Sequence, residues 1–272
     1  MRSARSAVSA FRRLVLTYSR PHGRHALPWR ETRDPYRILV SEVMLQQTQV
    51  KRVIPFYAEF TRRFPTARSL ARAPLSAVLR LWQGLGYNRR AKMLHDAAKR
   101  TMIYHSGQIP TSYEELAALP GVGDYTAKAI RVFAFNEPEV LLETNIRAAF
   151  LHHFFPRKHN VTDRALLPYM REVLSKKNPR RWYSALMDYG SHLKTLHLNP
   201  SRRSAHHVRQ SQFKGSDREI RGAILRALAE RPRGGESFAA LPFANSRVEA
   251  QLGRLAAEGL IEQKRGRYRL PT

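Results

Sequence analysis

LPGVGDYTAKAI, residues 119–130, decides how this chain folds. Two glycines, Gly121 and Gly123, flank Val122 between the helical patterns SYEELAAL (112–119) and YTAKAIRVFAF (125–135). Without a Cβ, the glycines let the backbone turn tightly and approach a partner closely. The helix that follows opens with free N–H groups and a positive dipole end, a ready site for a phosphate. A helix–turn–helix of this kind grips a nucleic-acid backbone without reading its sequence. Just beyond it, VLLETNIR (140–147) sets a lone carboxylate, Glu143, in a nearly apolar run.

Acids are scarce in this chain. Its 272 residues hold 48 Lys and Arg against 21 Asp and Glu, a formal charge of +27. That excess attracts polyanions over long distances, and nucleic acid is the commonest large one. The charge is spread along amphipathic segments instead of low-complexity runs, which points to a folded domain with a basic face. The bland alternative is a solvated basic surface with no ligand. With 43% hydrophobic and 25% charged residues, the composition is that of an ordinary globular protein. There is no cysteine, which removes disulfides, thiol catalysis and cysteine-held zinc or iron–sulfur centres. No apolar run approaches the roughly 20 residues that span a bilayer, so no membrane partner is expected. The Arg-rich N-terminus, MRSARSAVSAFRRLVLTYSR, superficially suits a transit peptide. It reads better as a first domain helix, with Val8, Phe11, Leu14 and Val15 on one face. The expected location is therefore a bacterial or archaeal cytoplasm, at the nucleoid.

Helical patterns follow one another with turn signals between them. In residues 34–64, Ile38, Val43, Leu45, Val50, Val53 and Ile54 fall close to helical repeats, with Asp34 as cap and Pro35 in the first turn. Further helices read at 69–84, 89–107, 165–175 and 181–196, and no alternating strand run interrupts them. Residues 199–216, NPSRRSAHHVRQSQFKGS, are polar and basic and read as a linker or a strap along DNA. After them come DREIRGAILRALAE (217–230), ESFAALPF (236–243) and SRVEAQLGRLAAEGL (246–260), the last with Ser246 as its N-cap. IEQKRGRYRL (261–270) then alternates around Arg265-Gly266, as a hairpin does. Three helices and a hairpin suggest a winged helix-turn-helix, or else a plain helical cap.

The chain resembles the helix-hairpin-helix superfamily of base-excision DNA glycosylases, and most closely the MutY-type adenine glycosylases. The matching segments are LPWR (27–30), DPYRILVSEVMLQQTQV (34–50), GLGY (84–87), LPGVG-YTA-AI (119–130) and MDYG (187–190), in family order. The resemblance covers roughly residues 25–195 and implies an all-α, two-lobed fold, expected over residues 1–198. The residue pattern beyond it leaves 199–216 as a basic linker or strap and 217–272 as a winged-helix-like domain. It also implies a mechanism: a base is flipped from the duplex into a pocket and its glycosidic bond is hydrolysed. Departure of the base leaves positive charge on the sugar, which an apposed carboxylate stabilises. The family's carboxylate is an aspartate, and Glu143 occupies its position. The extra methylene carries the charge about 1.5 Å further and adds a rotatable bond. The alternative for Glu143 is a helix cap or an ion-paired residue.

Other positions carry over residue by residue. Glu42 falls on the acid that protonates the departing adenine, a task suited to a partly buried Glu; a pocket hydrogen-bonder is its alternative. Asp188 in MDYG reads as structural. At Tyr125 the bifunctional relatives have a lysine that attacks the sugar as an amine. Tyrosine forms no imine, so strand cleavage is not expected, and Lys128 points elsewhere on the helix. Gln46, Gln47 and Tyr87 match residues that fill the gap left by the flipped base and wedge the opposite strand. Gln49, Arg90, Gly121, Val122, Gly123, Asn145 and Arg147 complete the expected DNA-binding set.

Two departures narrow the expectation. The family's four cluster-binding cysteines are missing from SHLKTLHLNPSRRSAHHVRQ (191–210), so no iron–sulfur cluster is expected there. An all-histidine zinc site from His192, His197, His206 and His207 is improbable, which leaves a monovalent cation at the hairpin as the one companion the resemblance admits. The tail is also unlike the domain that reads 8-oxoguanine in MutY-type enzymes. The expected substrate is double-stranded DNA, met by a monomer. Adenine opposite guanine or 8-oxoguanine is favoured by SEVMLQQTQV and Glu42; thymine or uracil opposite guanine follows, on Tyr125. The competing class is a non-catalytic DNA binder or lesion sensor.

Overall fold

In the computed structural model, the described residues are 2–196, 198–230, 238, 241–264 and 266–272. They form two compact units. The first comprises Met1–Ile38, Thr111–Tyr113 and Gly123–Arg209, and the second Leu39–Pro110, Glu114–Val122 and Gln210–Thr272. Both are helical, and the one sheet among the described residues is a terminal hairpin.

The chain begins with α1 (Arg2–His22), the short α2 (Pro28–Glu31) and α3 (Pro35–Leu45). The N-terminal pattern is a core helix, because Val8, Phe11 and Val15 are buried in the first unit. Leu14 departs from the expected face and is 44% exposed. The same unit holds α9 (Asp124–Phe135), α10 (Thr144–Phe154), α11 (Asp163–Val173) and α12 (Pro179–Leu196). Phe11 lies edge-on to Trp182 at 6.2 Å and tilted on Phe150 at 5.4 Å, so α1, α10 and α12 share one apolar centre. Asp188 is buried in α12 and bound by Arg24 and Arg30 at 2.6 Å each. Burial alone would raise this carboxyl, but the two guanidiniums hold it below the usual range. Its role is structural, as the sequence suggested. Gly190, two residues on, lets α12 touch the first turn of α10. A Cβ there would stand 1.9 Å from the Asn145 carbonyl oxygen, well inside contact.

The stretch 199–216 leaves α12 as a fold-bound strap and not as a free linker at its start. Pro200–Arg203 form a 3₁₀ turn with Pro200 and Ser201 buried. Arg203 then donates to the carbonyls of Leu151, Phe155 and Pro156, satisfying acceptors at the end of α10.

In the second unit, the expected single helix over 34–64 is broken. After α3 comes a turn at Gln46–Gln49, with Gln47 at φ +55°, before α4 (Val50–Arg63). An apolar period of 3.6 carried across that four-residue turn hid the break. Next come α5 (Ala67–Arg72), α6 (Leu75–Trp82), α7 (Arg89–Tyr104) and the start of the hairpin, α8 (Tyr113–Ala117). Phe60, Leu70, Leu79, Trp82 and Leu94 are buried together with their neighbours in this unit.

The C-terminal segment belongs to the same unit. It contains α13 (Asp217–Glu230), α14 (Asn245–Ala257) and the antiparallel strands β1 (Glu262–Lys264) and β2 (Arg267–Arg269). Helix α13 packs on α6, where Gln83 donates to the Leu225 carbonyl at 2.9 Å. The Ser76 amide likewise donates to the Pro271 carbonyl at 3.0 Å. Ala244, not Ser246, stands at the N-cap of α14. The helix expected over 236–243 and Arg265 of the hairpin tip fall largely or wholly outside the described residues.

Candidate active site

The sequence-selected residues fall into two groups, one in each unit. In the first unit, Tyr183 pins the segment that leads to Glu143. Its hydroxyl accepts from the Leu141 amide at 3.0 Å and donates to the Glu139 carbonyl at 2.9 Å. Glu143 then caps α10. Its Oε1 accepts from the amides of Asn145 (2.8 Å) and Ile146 (2.9 Å), while Oε2 takes one longer bond from Asn145 Nδ2 at 3.2 Å. Both sequence readings of this residue are thus compatible: one oxygen anchors the side chain and the other stays lightly engaged. Burial pushes the Glu143 carboxyl above its ordinary value, against the pull of the Asn145 and Ile146 amides, Lys194 and Arg147. A negative charge held at a helix N-terminus in a half-buried place is fixed before any cation forms beside it.

The neighbours of Glu143 are committed to positioning it. Asn145 bridges the carboxylate to Lys194, whose Nζ donates to Asn145 Oδ1 at 3.0 Å. Arg147, expected to touch DNA, spends its guanidinium on a two-pronged pair with Asp163 at 2.7 Å. Tyr125 packs against the apolar core of this unit. Lys128 is paired with Asp124 at 2.6 Å and lies over the Tyr113 ring, so its amine is engaged on its own helix face. Gly123 precedes α9 with an extended backbone, and a Cβ there would meet nothing within 4 Å.

In the second unit, Glu42 is buried midway along α3. Gln47 and Gln49 are exposed in the following turn, with Gln46 half-buried beside them. Arg90 holds that turn from within. Nη1 donates to the carbonyls of Val43 and Met44 at 2.9 Å and of Gln46, and Nη2 to Gly86 at 3.0 Å. Burial lowers this guanidinium to about 10. Arg90 therefore ties two turns together, and these bonds occupy the guanidinium that was expected to contact DNA. Tyr87, at φ +49°, stands in the second of those turns. Gly121 takes φ +76°, and Val122 is buried.

A profile described as HhH-GPD superfamily base excision DNA repair protein matches residues 40–175. The chain belongs to this superfamily. An adenine DNA glycosylase of Mycobacterium tuberculosis (strain CDC 1551 / Oshkosh) is 34% identical over 95% of this chain and 92% of its own. An adenine DNA glycosylase of Buchnera aphidicola subsp. Baizongia pistaciae (strain Bp) is 37% identical over 70% of this chain, but the match spans only 54% of that protein. Among solved structures, a thermostable thymine-DNA glycosylase superposes with a TM-score of 0.61 at 25% identity, over 68% of this chain and 87% of its own.

For an HhH-GPD protein, the end of α12 is where a cluster would be sought. The residues there do not fit one. The chain has no cysteine, His192 is stacked on the Tyr18 ring at 4.8 Å, and His197 lies outside the described residues. The Arg203 turn closes this loop instead. Sequence reasoning missed Lys194, Tyr183 and the residues of 210–272 that reach Tyr87. Lys194 left no signal, because a lysine at that spacing on α12 reads as one more solvated charge.

Proposed function

We propose that this base-excision DNA glycosylase is monofunctional and hydrolyses the N-glycosidic bond of a mispaired base, with adenine opposite guanine or 8-oxoguanine as the favoured substrate. The observation that carries the reading is the Glu143 carboxylate, fixed at the first turn of α10 by two backbone amides with its second oxygen lightly bonded. As the base leaves, positive charge grows on the sugar, and this carboxylate stabilises it until water adds. Glu42 supplies the proton that turns the base into a neutral leaving group. Lyase chemistry lacks its nucleophile, since Tyr125 forms no imine and Lys128 is paired with Asp124. The names of the Mycobacterium and Buchnera relatives support adenine, whereas a relative from Aeropyrum pernix is a thymine-DNA glycosylase. Tyr125 and the likeness to a thymine-DNA glycosylase favour thymine or uracil opposite guanine as the second reading.

The test is single-turnover excision on duplexes carrying A, T or U opposite G, and A opposite 8-oxoguanine, with alkali added at the end to cut abasic sites. Wild type should give alkali-dependent cleavage on an adenine duplex, and Glu143→Gln should lower the rate on the order of 10²–10³-fold, as loss of a transition-state charge contact does. Cleavage without alkali, or an unchanged Glu143→Gln rate, would overturn the mechanism.

A further inference from the structure

The second unit contains a cavity of about 450 Å³, large enough for a nucleobase, and every residue lining it belongs to that unit. Its lining includes Gln46, Gln47 and Tyr87 and, from the C-terminal segment, Arg218, Arg221 and Glu258. That segment lies beyond the part of the chain that the family profile matches. Yet it grips Tyr87 directly. The Tyr87 hydroxyl is bonded to Arg218 Nη1 at 2.7 Å and to Gln210 at 2.6 Å, and the Arg218 guanidinium lies 5.3 Å from the centre of the Tyr87 ring. Beside them, Arg221 Nη2 meets Glu258 Oε2 at 2.6 Å.

We propose that this cavity takes an unmodified guanine of the uncut strand, and that Arg221 and Glu258 are specificity-determining residues for it. The inference rests on the reading of the protein as a glycosylase that opens a duplex. Along one side of guanine, N7, O6, N1–H and the 2-amino group run acceptor, acceptor, donor, donor. A guanidinium set beside a carboxylate presents donor, donor, acceptor, acceptor, the complementary order. None of the other three bases carries both an acceptor pair and a donor pair. In 8-oxoguanine, N7 becomes an N–H and opposes the guanidinium, so this pair favours guanine over its oxidised form. Val43 and Met93 add apolar surface for a base plane. Arg218 is a positioning residue, since it holds Tyr87.

The experiment measures binding of the full chain to duplexes with a tetrahydrofuran abasic analogue opposite guanine, 8-oxoguanine, hypoxanthine, 2-aminopurine, adenine or cytosine. No excision is needed. Wild type should bind the guanine duplex on the order of ten-fold tighter than the hypoxanthine or 8-oxoguanine duplex, the size of one two-pronged contact. Glu258→Gln should erase the margin over hypoxanthine, which lacks the 2-amino group. Arg221→Gln should erase the margin over 8-oxoguanine, whose N7–H opposes the guanidinium. The charge-swapped pair Arg221→Glu/Glu258→Arg keeps an ion pair at this place and should lose both margins, which carries the test if a single variant fails to fold. Indifference of the wild type to the opposite base, or full discrimination in folded variants, would overturn the proposal. Discrimination by a protein that excises nothing would sink the glycosylase reading and leave this pocket standing.

Discussion

Glu143 carries two obligations that pull its charge in opposite directions. Burial favours the neutral acid, whereas stabilising a sugar cation requires the carboxylate. A folded-state value raised above the unfolded one contributes stability that is present at low pH and lost as pH rises through the folded value. Ionised, as the proposed reaction requires, Glu143 therefore weakens the fold. Glu143→Gln should melt no lower than wild type at pH 7, and higher if anything, even as excision fails; a marked drop in Tm would show that the charge is needed for capping. Lys194 adjusts the same balance, because its ammonium lies one residue away through Asn145 and draws Glu143 down. Lys194→Met should push the carboxyl higher still and move the acid limb of the excision rate to higher pH. On that limb the loss should be about three- to ten-fold, the scale of one nearby charge. Lys194→Arg should hold the limb near its original place, and coincident pH profiles for wild type and Lys194→Met would remove Lys194 from the site.

At the scale of elements, the two hairpin glycines do different work. Gly121 has φ +76°, and an added Cβ would stand 2.8 Å from Cβ of Met93. Gly121→Ala should cost about 1–2 kcal/mol in a urea melt from the left-handed backbone alone. Gly123 is extended and faces open space, so Gly123→Ala should stay within about 0.5 kcal/mol of wild type. It should nonetheless weaken duplex binding several-fold, because a methyl group intrudes where a phosphate approaches; equal affinity would mean that the turn does not meet the backbone. The sequence carried the hairpin, the all-helical class and the position of Glu143 because each depends on local pattern: glycine punctuation, apolar period, and one acid in an apolar run. What it concealed depends on distant partners. The MDYG glycine was visible, but not that its missing Cβ makes room for the Asn145 carbonyl on another helix. Arg90 read as a cation for DNA because three of the carbonyls it binds, those of Val43, Met44 and Gln46, lie 44–47 residues away in the chain. The break at Gln46–Gln49 escaped for the opposite reason, since the turn preserves the apolar period on both sides.

Across the whole molecule, the acids are mostly spent inside the fold. Asp188 takes Arg24 and Arg30, Asp163 takes Arg147, Asp217 takes Arg247 and Arg254, and Glu258 takes Arg221. With 48 basic residues against 21 acidic ones, such pairing leaves a large surplus of Lys and Arg without an acidic partner. Only that surplus is free to replace the counterions condensed on DNA, and each phosphate neutralised releases about 0.9 of a cation from duplex. Affinity for an undamaged duplex should therefore fall linearly in log–log form with salt. With six to ten phosphates engaged, the loss between 50 and 200 mM would be about 10³–10⁵-fold. The opposite-base preference, set by hydrogen bonds in a cavity, should change far less over the same range, because it involves no net release of ions. A titration at several salt concentrations, run on duplexes with guanine or hypoxanthine opposite the abasic analogue, separates the two terms. A shallow slope would mean that the +27 surface is not the face that meets DNA. A preference that decays in step with affinity would mean that discrimination comes from phosphate contacts and not from base edges.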